Sequence, residues 1–239
     1  LVPGNTFLAS SLVAEYCQRL GNCKKKRESQ TGNLKMESLK PVVFLDRDGT
    51  LNVESGYIRE VSNLNLIEGA AEAVARFNRA GIIAVLTTNQ TGPARGYYPE
   101  SHIHALHERL VSLLAAGGAH LDAVYYCPHL SVEEGGVVAP FNIACNCRKP
   151  GIGMVEKAYS ELPGLNKALS FVVGDKATDV ELAANCGALG VLVETGYGKD
   201  VQSGAYQWPV KPDFQASSIV EAADWIIAKC RGSNSGSQQ

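Results

Sequence analysis

A chain of 239 residues, 45% hydrophobic and 19% charged, carries enough apolar material for one substantial core and reads as one folded domain with appendages. Its 22 Lys and Arg against 24 Asp and Glu leave a formal charge of -2, so no basic field draws it to nucleic acid. No apolar run is long enough to span a bilayer, and seven cysteines, an odd number in a long chain, point to a reducing compartment rather than a disulfide framework.

Residues 1–40 read as a flexible N-terminal extension outside the chemistry. Leu8, Leu12, Tyr16 and Leu20 recur every fourth residue and fit a short amphipathic helix ending at Gly21. The basic run Lys24 to Arg27 follows that segment, whereas a signal peptide carries its charge before it. Met36, just ahead of the first strong strand, is a candidate natural start.

Val42, Val43, Phe44 and Leu45 form the continuous apolar run of a strand buried on both faces, and it breaks into Asp46, Arg47 and Asp48. In an open parallel sheet the crevice lies outside the carboxyl ends of the strands, so both carboxylates arrive where a ligand can reach them. Two acids so close repel unless a cation sits between them or one keeps a proton, and magnesium suits carboxylate and phosphate oxygens together. Taken alone, the string also fits an acidic turn. Glu54, Ser55, Gly56 and Tyr57 then make a loop beside this point.

A helix is expected over 70–80, stopped by Gly81, and a second buried strand over 82–86. The strand leads to Thr87, Thr88, Asn89, Gln90 and Thr91, whose hydroxyls and amides suit phosphoryl oxygens and equally suit a polar capping loop. The next helix runs from about Glu100 to Ala116 and bears His102, His104 and His107, read as surface or packing residues.

A third strand, 121–126, empties into Cys127 and His129, and a loop later come Cys145 and Cys147. Three thiolates and one imidazole complete a tetrahedral zinc shell, so the site is structural; disulfide pairing is the competing account. Arg148 and Lys149 follow at once, either as two cations placed at a defined point near the acids or as a solvated basic loop. Of the other cysteines, Cys186 and Cys230 read as buried thiols.

After a helix over 155–162, a fourth strand, 169–173, delivers Asp175 and Lys176. Asp179 either joins an oxygen-rich metal site or charges the first turn of a helix over 177–186. A fifth strand over 190–193, a polar glycine-containing loop and a helix over 219–229 close the domain, 41–230, before a disordered tail, 231–239.

DRDGT, TTNQTG, CRKP and GDKATD, in this order, resemble the haloacid dehalogenase-like phosphohydrolases over roughly 41–229. CPH followed by CNCRKP resembles the branch that contains heptose bisphosphate and histidinol-phosphate phosphatases. The resemblance implies an α/β fold, a Rossmann-like parallel sheet with helices on both faces, a minimal cap and the zinc-clipped loop. It implies Asp46 as nucleophile and Asp48 as general acid and base. Magnesium would be held by Asp46, the Asp48 carbonyl and Asp175, with Lys176 beside it. Thr88 and Lys149 would hold phosphoryl oxygens. Glu54 to Tyr57, Thr88 to Thr91, Arg148 and Lys149 would contact a small sugar phosphate. The heptose reading further implies a cytoplasmic enzyme of nucleotide-activated heptose synthesis for lipopolysaccharide. No surface stripe marks an interface, so a monomer is expected, without nucleic-acid or membrane partners. Histidinol phosphate or another small ester is the alternative substrate. A zinc-stabilised module without catalysis is the alternative of another class, and the presence of Asp46, Asp48, Thr88, Lys149 and Asp175 speaks against it.

Overall fold

The computed structural model describes residues 39–235, with side chains through residue 232, and these belong to one compact unit, Ser38–Gln239. The expected helix over Leu8 to Leu20, Cys17, Cys23 and the last four residues lie outside the described residues.

Six strands form one sheet: β1 (Lys40–Leu45), β2 (Ile83–Asn89), β3 (Ala123–Cys127), β4 (Leu165–Gly174), β5 (Leu189–Val193) and β6 (Phe214–Ala216). Their order is β3-β2-β1-β4-β5-β6, and every pairing is parallel. The helices are α1 (Ala70–Arg79), α2 (Glu100–Ala116), α3 (Gly153–Glu161), α4 (Ala177–Cys186), α5 (Gly198–Ser203) and α6 (Ile219–Ser235).

The alternation along β1 decides which helices lie where. Val43 and Leu45 point to a core shared with Phe77 of α1, Leu106 and Leu110 of α2, and Ile226 of α6. Val42 and Phe44 point to the opposite core, with Met154 and Ala158 of α3 and Leu182 of α4. Both faces are therefore covered, which is why the central strands are apolar without a break. The strand order reverses direction at β1 and β4, so their carboxyl ends open onto the same crevice. No second domain interrupts the loop from Asp46 to Gly69.

The structure departs from the sequence expectations at several points, among them β4, which begins at Leu165 rather than at 169, and β3, which runs from Ala123 to Cys127 rather than over 121–126. Thr87, Thr88 and Asn89 lie within β2, because their backbone pairs with Tyr125, Tyr126 and Cys127. The stretch after β5 contains α5 and the edge strand β6. The final helix continues to Ser235, past Lys229 and into the segment expected to be a disordered tail.

Phe44 is fully buried on a central strand and meets Tyr159 edge to face, with ring centroids 5.9 Å apart. Phe44→Ala should cost about 3–5 kcal/mol through the cavity it leaves, read as a lower denaturant midpoint.

Candidate active site

Four stretches meet at the carboxyl ends of β1, β2 and β4. The Asp46 amide continues the sheet by donating to Val173 O at 2.9 Å, and its Oδ1 accepts from the Arg47 amide at 2.7 Å. The same oxygen meets Lys149 Nζ at 2.8 Å, while Asp179 Oδ1 lies 2.6 Å from that ammonium and Thr87 O accepts from it at 2.9 Å. Asp46, Lys149 and Asp179 are all buried. Burial opposes the charge on Lys149, but Asp179 and Asp46 outweigh it and hold its pKa above the ordinary lysine value.

Lys149 reaches this point because its backbone is held on both sides. Asn89 Oδ1 accepts from the Lys149 amide at 2.9 Å, and Asn89 Nδ2 donates to the Lys149 carbonyl at 3.1 Å. Asn89, expected to touch substrate, therefore serves as the clamp of the lysine loop. Gln90 is likewise engaged by the protein, its Nε2 donating to Asp48 Oδ2 at 2.8 Å and to Thr88 Oγ1 at 3.0 Å.

The acidic cluster differs from the one the sequence suggests. Ligand oxygens of Asp46, Asp175 and Asp179 lie within 4.8 Å of one another, and the Asp48 side chain is not in the group. Asp48 is taken up by a charged fork: Arg47 Nε and Nη2 donate to its Oδ1 at 3.2 and 3.0 Å, and Nη2 to its Oδ2 at 2.9 Å. Burial raises the Asp48 pKa, but Arg47, Asn52 and Gln90 outweigh it and hold the carboxyl below its usual range. Repulsion between the paired acids is thus relieved at Asp48 by a guanidinium. Asp179, left open between two readings by its spacing, is placed for both: its carboxylate lies in this acidic group, and its Oδ2 accepts from the Lys176 amide at 3.1 Å at the start of α4.

Asp175 is fully buried and accepts from the Tyr197 amide at 2.9 Å through Oδ2, whereas Oδ1 has no hydrogen-bond partner and stands 3.7 Å from Lys176 Nζ. Burial, together with the charges of Asp46 and Asp179, pushes its pKa up to about 8 against the pull of Lys176. A buried cluster of acids with an unsatisfied oxygen fits a hard divalent cation. Lys176, an ammonium, cannot be a ligand through its side chain; it pairs with Glu54 at 2.8 Å and lies 5.1 Å from the centre of the Tyr197 ring. Glycine is required beside these acids. A Cβ on Gly49, which has φ +78, would fall 2.1 Å from Asp175 Oδ2, and one on Gly174 2.1 Å from the Asp179 carboxyl carbon.

On the loop after β3, Cys127, His129, Cys145 and Cys147 also bring their ligand atoms within 4.8 Å. The sulfurs are 3.1 to 3.5 Å apart and His129 Nδ1 lies 3.4 Å from Cys147 Sγ. These cysteines are free, as are Cys230, which is buried, and Cys186, which is only partly so. The contacts of Cys147 with Cys127 and His129 hold the pKa of its thiol below the ordinary value, at about 4. Three sulfurs and an imidazole nitrogen so gathered fit zinc. The loop docks through Val137 and Val138, whose amides both donate to Ala94 O at 2.8 and 3.0 Å. Arg148 remains with this loop, paired to Glu134 at 3.4 Å, and does not join Lys149 among the acids.

Of the remaining expected contacts, Tyr57 and Thr91 meet by their hydroxyls at 3.0 Å, and Glu54 Oε1 accepts from the Gly56 amide at 2.7 Å. Ser55 and Gly56 are exposed. The histidines of α2 are structural: His104 Nε2 lies 2.7 Å from Tyr126 OH, His102 Nε2 2.9 Å from Ile58 O, and His107 is buried against Tyr126.

A doubly wound parallel sheet that gathers acids and a buried lysine at its carboxyl end defines a hydrolase of the haloacid dehalogenase-like class. Residues 146–222 match the family model described as "HAD-hyrolase-like". The chain is 52% identical over 188 residues to the D-glycero-D-manno-heptose-1,7-bisphosphate 7-phosphatase of Thermosynechococcus vestitus, covering 78% of this chain and 95% of that one. It is 41% identical over 189 residues to the D-glycero-beta-D-manno-heptose-1,7-bisphosphate 7-phosphatase of Yersinia pestis, covering 78% and 89%. Among solved structures it is similar to D,D-heptose 1,7-bisphosphate phosphatase from B. bronchiseptica complexed with magnesium and phosphate, with a TM-score of 0.65, 29% identity, and coverage of 79% and 99%. The chain belongs to the family of HAD-like hydrolases that these heptose bisphosphate phosphatases represent.

The raised Asp175 pKa sets the sign of a pH effect. Between about pH 4, the ordinary carboxylate value, and about 8, the metal-free folded protein binds more protons than the unfolded chain, so stability falls as pH rises. Thermal melts of metal-free protein should show that fall, and added magnesium should raise Tm more at pH 8 than at pH 5.

Proposed function

We propose that the protein is a magnesium-dependent phosphatase that removes the C7 phosphate of D-glycero-D-manno-heptose 1,7-bisphosphate through an aspartyl phosphate on Asp46. The single observation that carries the chemistry is the buried Asp46–Lys149 contact of 2.8 Å beside the Asp175 and Asp179 carboxylates. The choice of substrate is supported by the relatives' names and by the share of those chains that is matched.

Asp46, oriented by Lys149 and the Arg47 amide, is the nucleophile. Its oxygen bonds to phosphorus as the bond from phosphorus to the C7 oxygen breaks, and Asp48 gives the departing oxygen its proton. In the second half Asp48 takes a proton from water, which attacks phosphorus and releases Asp46 and inorganic phosphate. The Arg47 fork keeps Asp48 as a carboxylate in the free site, the form the second half needs. An anionic ester entering beside it raises its proton affinity, so Asp48 takes up from solvent the proton that it gives to the leaving oxygen in the first half. Thr88 and Lys149 hold phosphoryl oxygens, and Lys149 offsets charge as the nucleophile is consumed. Asp46, the Asp48 carbonyl and Asp175 would hold magnesium, which when bound supplies positive charge shared between nucleophile and phosphate. Zinc on Cys127, His129, Cys145 and Cys147 is read as structural: four protein ligands leave no open position, and closing the long loop orders the chain up to Arg148 and Lys149. This reading serves the supply of heptose for lipopolysaccharide.

Phosphate release by the purified protein with magnesium should be faster from the heptose bisphosphate than from histidinol phosphate, and Asp46→Asn should abolish it without altering the melting curve. Preference for histidinol phosphate would reject the substrate while leaving the mechanism. Elemental analysis should find one zinc per chain, and Cys145→Ser should lose it and lower Tm.

A further inference from the structure

The arginines near the site differ in what neutralises them. Arg47 is forked on Asp48 and Arg148 pairs with Glu134, but Arg59 makes no ion pair among the described residues. Its guanidinium lies over the Tyr97 ring, 5.2 Å from the centroid. That contact steadies the group without using its N–H donors.

Tyr97 meets Tyr57 edge to face at 4.6 Å, and the Tyr57 hydroxyl is 3.0 Å from Thr91 Oγ1. Thr91 follows directly on the stretch that carries Thr88. A continuous wall therefore runs from the phosphoryl end outward: Thr91 is buried, Tyr57 and Tyr97 are each 39% exposed, and Arg59 is exposed. The two rings offer flat apolar surface to a carbon chain, and an unneutralised planar cation stands at the far end. Such a wall suits a sugar that carries an anion remote from the reacting phosphate. Arg59 would fork onto phosphate oxygens there, the geometry in which guanidinium binds most strongly.

We propose that Arg59 is a specificity-determining residue that binds the second phosphate of a bisphosphorylated sugar, with Tyr57 and Tyr97 flanking the carbon chain. The inference rests on the function proposed above, because it places the reacting phosphate at Asp46.

Steady-state kinetics of the full chain, Arg59→Gln and Arg59→Lys on D-glycero-D-manno-heptose 1,7-bisphosphate and on the 7-phosphate, which lacks the second anion, test it. Arg59→Gln should raise KM for the bisphosphate about 10- to 100-fold with kcat unchanged, and leave KM for the 7-phosphate unchanged. Arg59→Lys, which keeps the charge and loses the fork, should fall between. Because the side chain is exposed and packs on Tyr97 alone among the rings, the substitutions spare the core. An unchanged KM for the bisphosphate, or an equal rise for both substrates, overturns the inference and leaves the function standing. Wild-type protein that turns over neither substrate overturns the function and the inference together.

Discussion

The site depends on one buried ammonium held between two carboxylates. Lys149 touches Asp46 at 2.8 Å and Asp179 at 2.6 Å with almost no access to water, and removing the lysine would leave two buried carboxylates without a counter-charge, whereas removing one acid leaves the lysine paired to the other. The rest of the architecture serves to bring them together. Asn89 at the end of β2 clamps the lysine backbone, Asp179 is fixed by the first turn of α4, and Asp46 extends β1 by one more sheet hydrogen bond. The Cys and His cluster ends at Cys147, two residues before the lysine, so closing that loop fixes the approach of Lys149 as well.

Charge counting around this contact shows what a divalent cation would balance here. Asp46, Asp175, Asp179 and Glu54 bring four negative charges, and Lys149 and Lys176 bring two positive ones, leaving two to be balanced. Arg47 and Asp48 neutralise each other and do not enter the sum. Without a cation, burial and the unbalanced charge together raise the pKa of Asp175 to about 8 and lift that of Asp179 as well. One divalent ion restores neutrality, and a phosphate ester can then enter without meeting a field of its own sign.

The parts of this arrangement that were legible in the sequence are those written by short-range patterns. Continuous apolar runs marked β1 and β4 because both faces of a doubly wound sheet are covered, and the abrupt change to Asp46 and Asp175 marked their carboxyl ends. The C-P-H and C-N-C spacings announced the cluster on the β3 loop. What failed depended on partners distant in sequence. Thr87 to Asn89 look like a polar loop until Tyr125 to Cys127 pair with them, and β6 has three residues whose strand character comes only from lying beside β5. The Asp48 fork was hidden for another reason: DRD reads as two acids flanking a base, and no pattern tells which acid the arginine takes.

The close fit of backbone to carboxylate limits where this site can vary. At Gly49 and Gly174 a single added carbon would occupy the space of Asp175 or Asp179, so the acids rest against main chain and cannot shift without moving the strand ends themselves. The acidic end, where the proposed function places the phosphoryl group, is therefore fixed by main-chain packing. Discrimination must come from side chains free to differ without disturbing that packing: the Glu54 to Tyr57 loop, Tyr97 with Arg59, and the loop that docks on Ala94. Each of these is exposed or partly exposed, yet each is tied to the rigid centre: the Glu54 to Tyr57 loop through Lys176 and Thr91, Tyr97 through Tyr57, and the Cys and His loop through Lys149. A rim built this way can change its chemistry while keeping its register with the reacting phosphate.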